Sequence, residues 1–102
     1  MDGKVHVETA AVMVRLDGEL DVHTASRLRG ELVRAIDDAD EGATVSLDLT
    51  AVTFVDSSAI GVLMGARRRA TSRHVSIQLL NPTQRVWTAL ETTGVARWFD
   101  VA

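Results

Sequence analysis

Val5 and Val7, then Val12, Val14 and Leu16, alternate with other residues at the period of a strand. This predicts an N-terminal hairpin turning near Thr9-Ala10, with Gly18 closing its second strand. From position 24 to 39 the period changes. Ala25, Leu28, Leu32, Ala35, Ile36 and Ala39 recur at spacings of three and four, while Arg27, Arg29, Glu31 and Arg34 fall mainly off that stripe, the pattern of an amphipathic helix. Asp40-Glu41-Gly42 ends it, and Val45, Leu47 and Leu49 then alternate with Ser46 and Asp48 as an inner strand that runs on toward Ser57. A second helix is expected to about Thr71, and Val75, Ile77 and Leu79 mark another strand. Asn81-Pro82 reads as a cap with a first-turn proline, Gly94 as the stop of a third helix, and 97 to 101 as a last short strand. Strands separated by helices predict an α/β layer with right-handed crossovers.

The junction at Thr53-Phe54-Val55-Asp56-Ser57-Ser58 is where chemistry enters, because an apolar strand pattern turns there into a helix pattern. Asp and Ser side chains satisfy the free amides of a first helical turn, and the positive end of the helix dipole favours negative charge. Such residues are more often caps than reacting groups, yet a phosphate on Ser57 would be well accommodated.

Past that junction the predicted second helix has two sides. Ala59, Ile60, Leu63, Met64, Ala66 and Ala70 project onto a broad apolar face suited to packing on the sheet. Ser58, Gly61, Val62, Gly65, Arg68 and Arg69 project onto the other, a strip of small residues that would let another backbone approach. The two glycines have a plainer reading, close packing within the domain, and the arginine run Arg67-Arg68-Arg69 a plainer one as a solvated helix end that complements the dipole.

Length and charge narrow the classes. At 102 residues the chain, 1-102, makes one domain. No apolar run approaches the roughly 20 residues of a bilayer span, so no membrane insertion is expected. The start, Met1-Asp2-Gly3-Lys4-Val5-His6-Val7-Glu8, lacks the basic and apolar segments of a secretory signal, so a cytoplasmic location is expected. A net charge of -3 lacks the broad positive surface that phosphate backbones require, which argues against direct nucleic-acid binding. With no cysteine there is no thiol chemistry, and His6, His23 and His74 show no ligand spacing. Asp21 and His23 alone do not make a metal site, and loop capping is the better reading of Asp21. Trp87 and Trp98 read as core or edge-of-core residues. Neither a metal nor a cofactor is expected.

Phe54, Val55, Asp56, Ser57, Ser58, Ile60, Gly61, Val62 and Leu63 resemble the central signature of the STAS family, the domain of bacterial anti-sigma factor antagonists. Gly18-Glu19-Leu20-Asp21 with Thr24-Ala25, and Asn81-Pro82 with Val86, Leu90 and Gly94-Val95, extend that resemblance over nearly the whole chain. It implies a small mixed β-sheet flanked by helices, in the order β-β-α-β-α-β-α-β. It also implies that Ser57 is a phosphoacceptor, and that Asp21, Asp56, Ser58, Ala59, Gly61, Val62, Gly65 and Arg69 contribute to partner binding. Ala59 stands where the family usually has glycine, a change that favours the helix and leaves open whether its methyl group crowds an approaching kinase.

The function implied is an anti-sigma factor antagonist that binds a kinase-type anti-sigma factor when unphosphorylated, and so releases a sigma factor. The kinase would supply ATP and magnesium, a serine phosphatase could reset the switch, and the chain itself would not be an enzyme. The alternative is a free-standing STAS subunit regulating a membrane transporter or lipid-trafficking complex. A serine hydrolase is disfavoured, since there is no Gly-x-Ser-x-Gly elbow and no histidine assignable as base.

Overall fold

The computed structural model describes residues 11–102. Its elements are β1 (Ala11–Leu20), α1 (Ala25–Asp38), β2 (Thr44–Val55), α2 (Ser57–Ser72), β3 (Ser76–Leu80), α3 (Gln84–Thr92), one 3-10 turn (Ala96–Trp98) and β4 (Asp100–Val101). The first arm of the expected hairpin, with Val5 and Val7, lies outside the described residues. So does the antiparallel pairing that would make the sheet mixed.

The described strands lie in the order β1-β2-β3-β4 and every neighbouring pair is parallel. Each crossover steps the same way across the sheet, so right-handed connections place all three helices on one face. Burial follows from this. Val45, Leu47 and Leu49 of β2 are fully buried in a single cluster with Leu32 and Ile36 of α1, Leu63 of α2 and Val86 and Leu90 of α3. The other face of the sheet is mixed, with Met13 and Leu80 beside polar groups. Ser46 donates to Gln78 at 3.3 Å, and Asp48 accepts from the Thr50 hydroxyl at 2.6 Å and faces Arg15 at 3.6 Å. The Thr50 hydrogen bonds, ahead of Arg15, hold the Asp48 carboxyl below its usual range.

β1 and β2 do not march in step. Between the pairs Arg15↔Asp48 and Asp17↔Ala51, and again between Gly18↔Val52 and Glu19↔Phe54, β2 spends one residue more than β1. Each bulge resets which face a side chain takes, so Leu49, Val52 and Val55 are all buried although three residues apart. Gly18 therefore does not close β1. At φ +73 it carries the strand through the second irregularity to Leu20.

Helix ends differ from expectation in one place. α3 is capped by Thr83, whose hydroxyl accepts from the Val86 amide at 3.3 Å and donates to the Val52 carbonyl at 3.3 Å. Asn81 instead turns the chain at φ +51, and Pro82 lies outside the helix. The cap falls two residues downstream of Asn81 because it is the Thr83 hydroxyl that reaches the Val86 amide. Gly94 does end α3, with its amide on Glu91 and the Val95 amide on Leu90. The same pair of bonds ends α2, from His74 to Thr71 and Val75 to Ala70, with His74 holding the left-handed position at φ +59.

The arginine run is less free than a solvated helix end. Arg67 donates to the Trp98 carbonyl at 2.7 Å and lies 5.2 Å from the centre of that indole, with Arg97 5.1 Å from the same ring. Trp98 is thus an exposed indole flanked by two guanidinium groups, whereas Trp87 packs half-buried on the core.

Candidate functional site

β1 and β2 finish level, with Leu20 opposite Val55, and the Asp56 amide donates to the Leu20 carbonyl at 3.1 Å. The chain after β1 and the start of α2 therefore lie side by side. Asp56 joins them. Its Oδ1 accepts from the Ala59 amide at 3.1 Å, capping α2, while its Oδ2 accepts from the Val22 amide at 3.2 Å. Asp21 shapes the neighbouring loop from within. Its Oδ1 accepts from the amides of His23 (2.9 Å) and Thr24 (3.3 Å), and the Thr24 hydroxyl accepts from the Asp21 amide at 2.9 Å and donates to the Glu19 carbonyl at 3.0 Å. Asp21 is a loop cap, and among the described residues no group of three or more His, Cys, Asp or Glu side chains could hold a metal ion.

Ser57 is exposed as the first residue of α2, with exposed Val22 held nearby through Asp56. The first-turn amides at this end have no acceptor within the helix, so the positive end of the dipole faces the Ser57 hydroxyl. The helix dipole favours an added anion at Ser57, while the adjacent Asp56 carboxylate, whose negative charge is not removed by accepting from the Ala59 and Val22 amides, opposes it.

Ala59 requires a correction. It is fully buried, at 0% exposure, and belongs to the core cluster. Its methyl group points into the domain, so it neither touches a partner nor crowds a kinase at Ser57. The alanine packs α2 from inside, and the helix gains up to about 1 kcal/mol over glycine there.

Ser58, Gly61, Val62 and Gly65 do share one side of α2, but that side is not simply the back of the helix. It forms one wall of a groove of about 250 Å³ whose other wall is Arg29, Leu32 and Val33 of α1, with Ala66 also lining it. Arg69 is elsewhere. Its guanidinium makes a two-point contact with Asp37 of α1, at 2.8 and 2.7 Å, and Arg73 approaches the same carboxylate at 3.4 Å. The Arg69 hydrogen bond, more than any other cause, holds the Asp37 carboxyl below its usual range, and Arg69 is pushed up in turn. Twelve residues along a helix place Arg69 about 18 Å from Ser57, so it braces α2 onto α1 at the far end.

The sequence pattern had no means of finding Arg29, Leu32 and Val33 as site residues. Leu32 read as core and Arg29 as off-stripe, and only the packing of α1 on α2 makes them a wall. No helix among the described residues is long and apolar enough to cross a membrane.

Comparison with known proteins fits this arrangement. A family model described as "Mlab, STAS domain" matches residues 4–100. The chain belongs to the STAS domain family. It is 30% identical over 91 residues to the anti-sigma-B factor antagonist of Bacillus subtilis (strain 168), covering 89% of this chain and 81% of the relative. Among solved structures, the anti-sigma factor antagonist SpoIIAA in its unphosphorylated form superposes with a TM-score of 0.75 at 28% identity, covering 96% of this chain and 84% of SpoIIAA. The Bacillus cell fate determinant SpoIIAA in the phosphorylated form gives 0.66 at 29% identity, covering 96% and 87%. Within the STAS family, then, the chain sides with the anti-sigma factor antagonists.

Proposed function

We propose that this STAS domain is a cytoplasmic anti-sigma factor antagonist whose partner is a kinase-type anti-sigma factor, with Ser57 as the phosphoacceptor. The observation that carries the reading is Ser57 itself. It is exposed at the start of a capped helix, beside a loop fastened by Asp56, in a chain similar to antagonists of which one has been solved with and without phosphate. Unphosphorylated, the domain occupies the kinase and so frees a sigma factor.

Phosphorylation adds about -1.5 to -2 charge at Ser57. Two unit charges about 4 Å apart interact by about 4 kcal/mol at an effective dielectric of about 20, enough to dissociate a complex whose kinase presents an acidic group there. Inside this chain the same phosphate sits at the favourable end of α2. The switch therefore acts on the surface and leaves the fold in place. The domain contributes no catalytic step, ATP and magnesium belong to the kinase, and a serine phosphatase reverses the modification.

Incubation with the purified cognate kinase and ATP, followed by mass-spectrometric mapping, is expected to place the phosphate on Ser57. Normal labelling of Ser57→Ala would overturn the assignment. Copurification with a permease or transporter ATPase subunit, in place of an anti-sigma factor, would favour the transport reading.

A further inference from the structure

The groove between α1 and α2 holds an unexplained pair of glycines. Gly61 and Gly65 lie in the interior of a sixteen-residue helix, where glycine is the costliest residue after proline. Close packing inside the domain does not require them. A Cβ built on Gly61 meets nothing within 4 Å, and one on Gly65 meets only the Arg68 guanidinium at 3.8 Å, the far end of a flexible side chain. Between them Val62 is half-buried, and across from them stand Leu32 and Val33.

The rim has a sign. Arg29 on α1 and Arg68 on α2 are exposed, and neither forms an ion pair with any described residue. Among nearby arginines Arg27 faces Glu31, and Arg69 and Arg73 share Asp37, while Arg67, which donates to the Trp98 carbonyl, and exposed Arg34 likewise form no ion pair among the described residues. An apolar floor with two guanidinium groups at its margin that have no ion-pair partner among the described residues is complementary to an apolar side chain carried between carboxylates.

We infer that this groove receives an acidic segment of the anti-sigma factor, which seats one aliphatic or aromatic side chain over Gly61 and Gly65 and sets its carboxylates against Arg29 and Arg68. The inference rests on the function proposed above, because it takes the kinase as the occupant. Ser58 lines the groove and Ser57 precedes it, so a segment seated there fixes the register in which the kinase meets Ser57. Anchors of this kind dominate interfaces because they are desolvated in a pocket, whereas rim charges act mainly on encounter and specificity.

The test uses the whole domain and the purified cognate kinase, with affinity and melting temperature measured together. Gly61→Leu and Gly65→Leu are expected to weaken binding at least tenfold while the melting temperature holds or rises, since leucine is the better helix former and the positions are open. Arg29→Glu and Arg68→Glu are expected to weaken binding several-fold at low salt and less at high salt. Wild-type affinity in both leucine variants, with Ser57→Asp still abolishing binding, would overturn the groove and leave the phosphoswitch standing. Failure of the wild-type domain to bind the kinase would overturn both. A leucine variant that alters self-association in sedimentation, with kinase affinity unchanged, would make a second copy of this chain the occupant and overturn the inference.

Discussion

The two ends of α2 are built on different terms. At its start, Ser57 is exposed and the surrounding loop is held by hydrogen bonds between backbone groups and the side chains of Asp56, Asp21 and Thr24, with no ion pair among the described residues there. Toward its end the helix is fastened by side chains from two directions, with Arg69 and Arg73 on Asp37 of α1 and Arg67 on the turn carrying Trp98. One end is prepared for a change of charge and the other is fixed, which lets a modification alter what the domain binds without altering how it folds.

The largest expected effect breaks that comparison at the open end. Ser57→Asp should lose the kinase by a hundredfold or more in affinity, while Ser57→Ala keeps it, and both should melt within about a degree or two of wild type, as exposed substitutions do. A pull-down with parallel thermal melts reads both, and a large loss of stability in Ser57→Asp would show that the two ends are not independent. Next in size, Leu63→Ala removes a fully buried side chain midway along α2. About 2–5 kcal/mol should be lost in denaturant unfolding, with both ends loosened together.

Asp56→Ala is expected to cost about 1 kcal/mol through the lost cap. Its distinguishing mark is local, because the Val22 amide loses its acceptor and should exchange with solvent faster, while amides near Ser72 do not. Hydrogen exchange resolves this. The smallest effect lies at the fastened end. The folded-state pKa of Asp37 is depressed, so its pairing with Arg69 stabilises the fold above the ordinary carboxylate range and is lost as pH falls through the lowered value. Asp37→Asn should therefore lower the melting temperature slightly at neutral pH and not at strongly acid pH, with the difference shrinking in salt because the pair is partly exposed.

How much of this was legible in the chain depended on range. The amphipathic stripe from Leu28 to Ile36, the alternation at Val45, Leu47 and Leu49, and the Asp56-Ser57 junction are local signals, and each is found where its period indicated. The strand running from Val45 toward Ser57 was legible as well, but not why Leu49, Val52 and Val55 share the core at spacings of three, because the bulges that set their facing depend on pairing with β1. Arg69 looked like part of a docking strip because its partner Asp37 lies 32 positions away in the chain. Ala59 differs again, since its projection onto the inward face is found in the structure and its place in the partner surface, implied by the resemblance, is not.

The two bulges in β2 also determine what kind of genetic change this domain tolerates. They act as a vernier between strands of unequal residue count, and substitution on the exposed positions Thr50, Ala51 or Thr53 leaves the count intact. Loss or gain of a single codon there would change the number of residues the bulges must absorb, in the span that sets Asp56 against Leu20 and Ser57 beside the Val22 loop. Insertions and deletions, more than point changes, are the mutations to which the serine's placement is vulnerable.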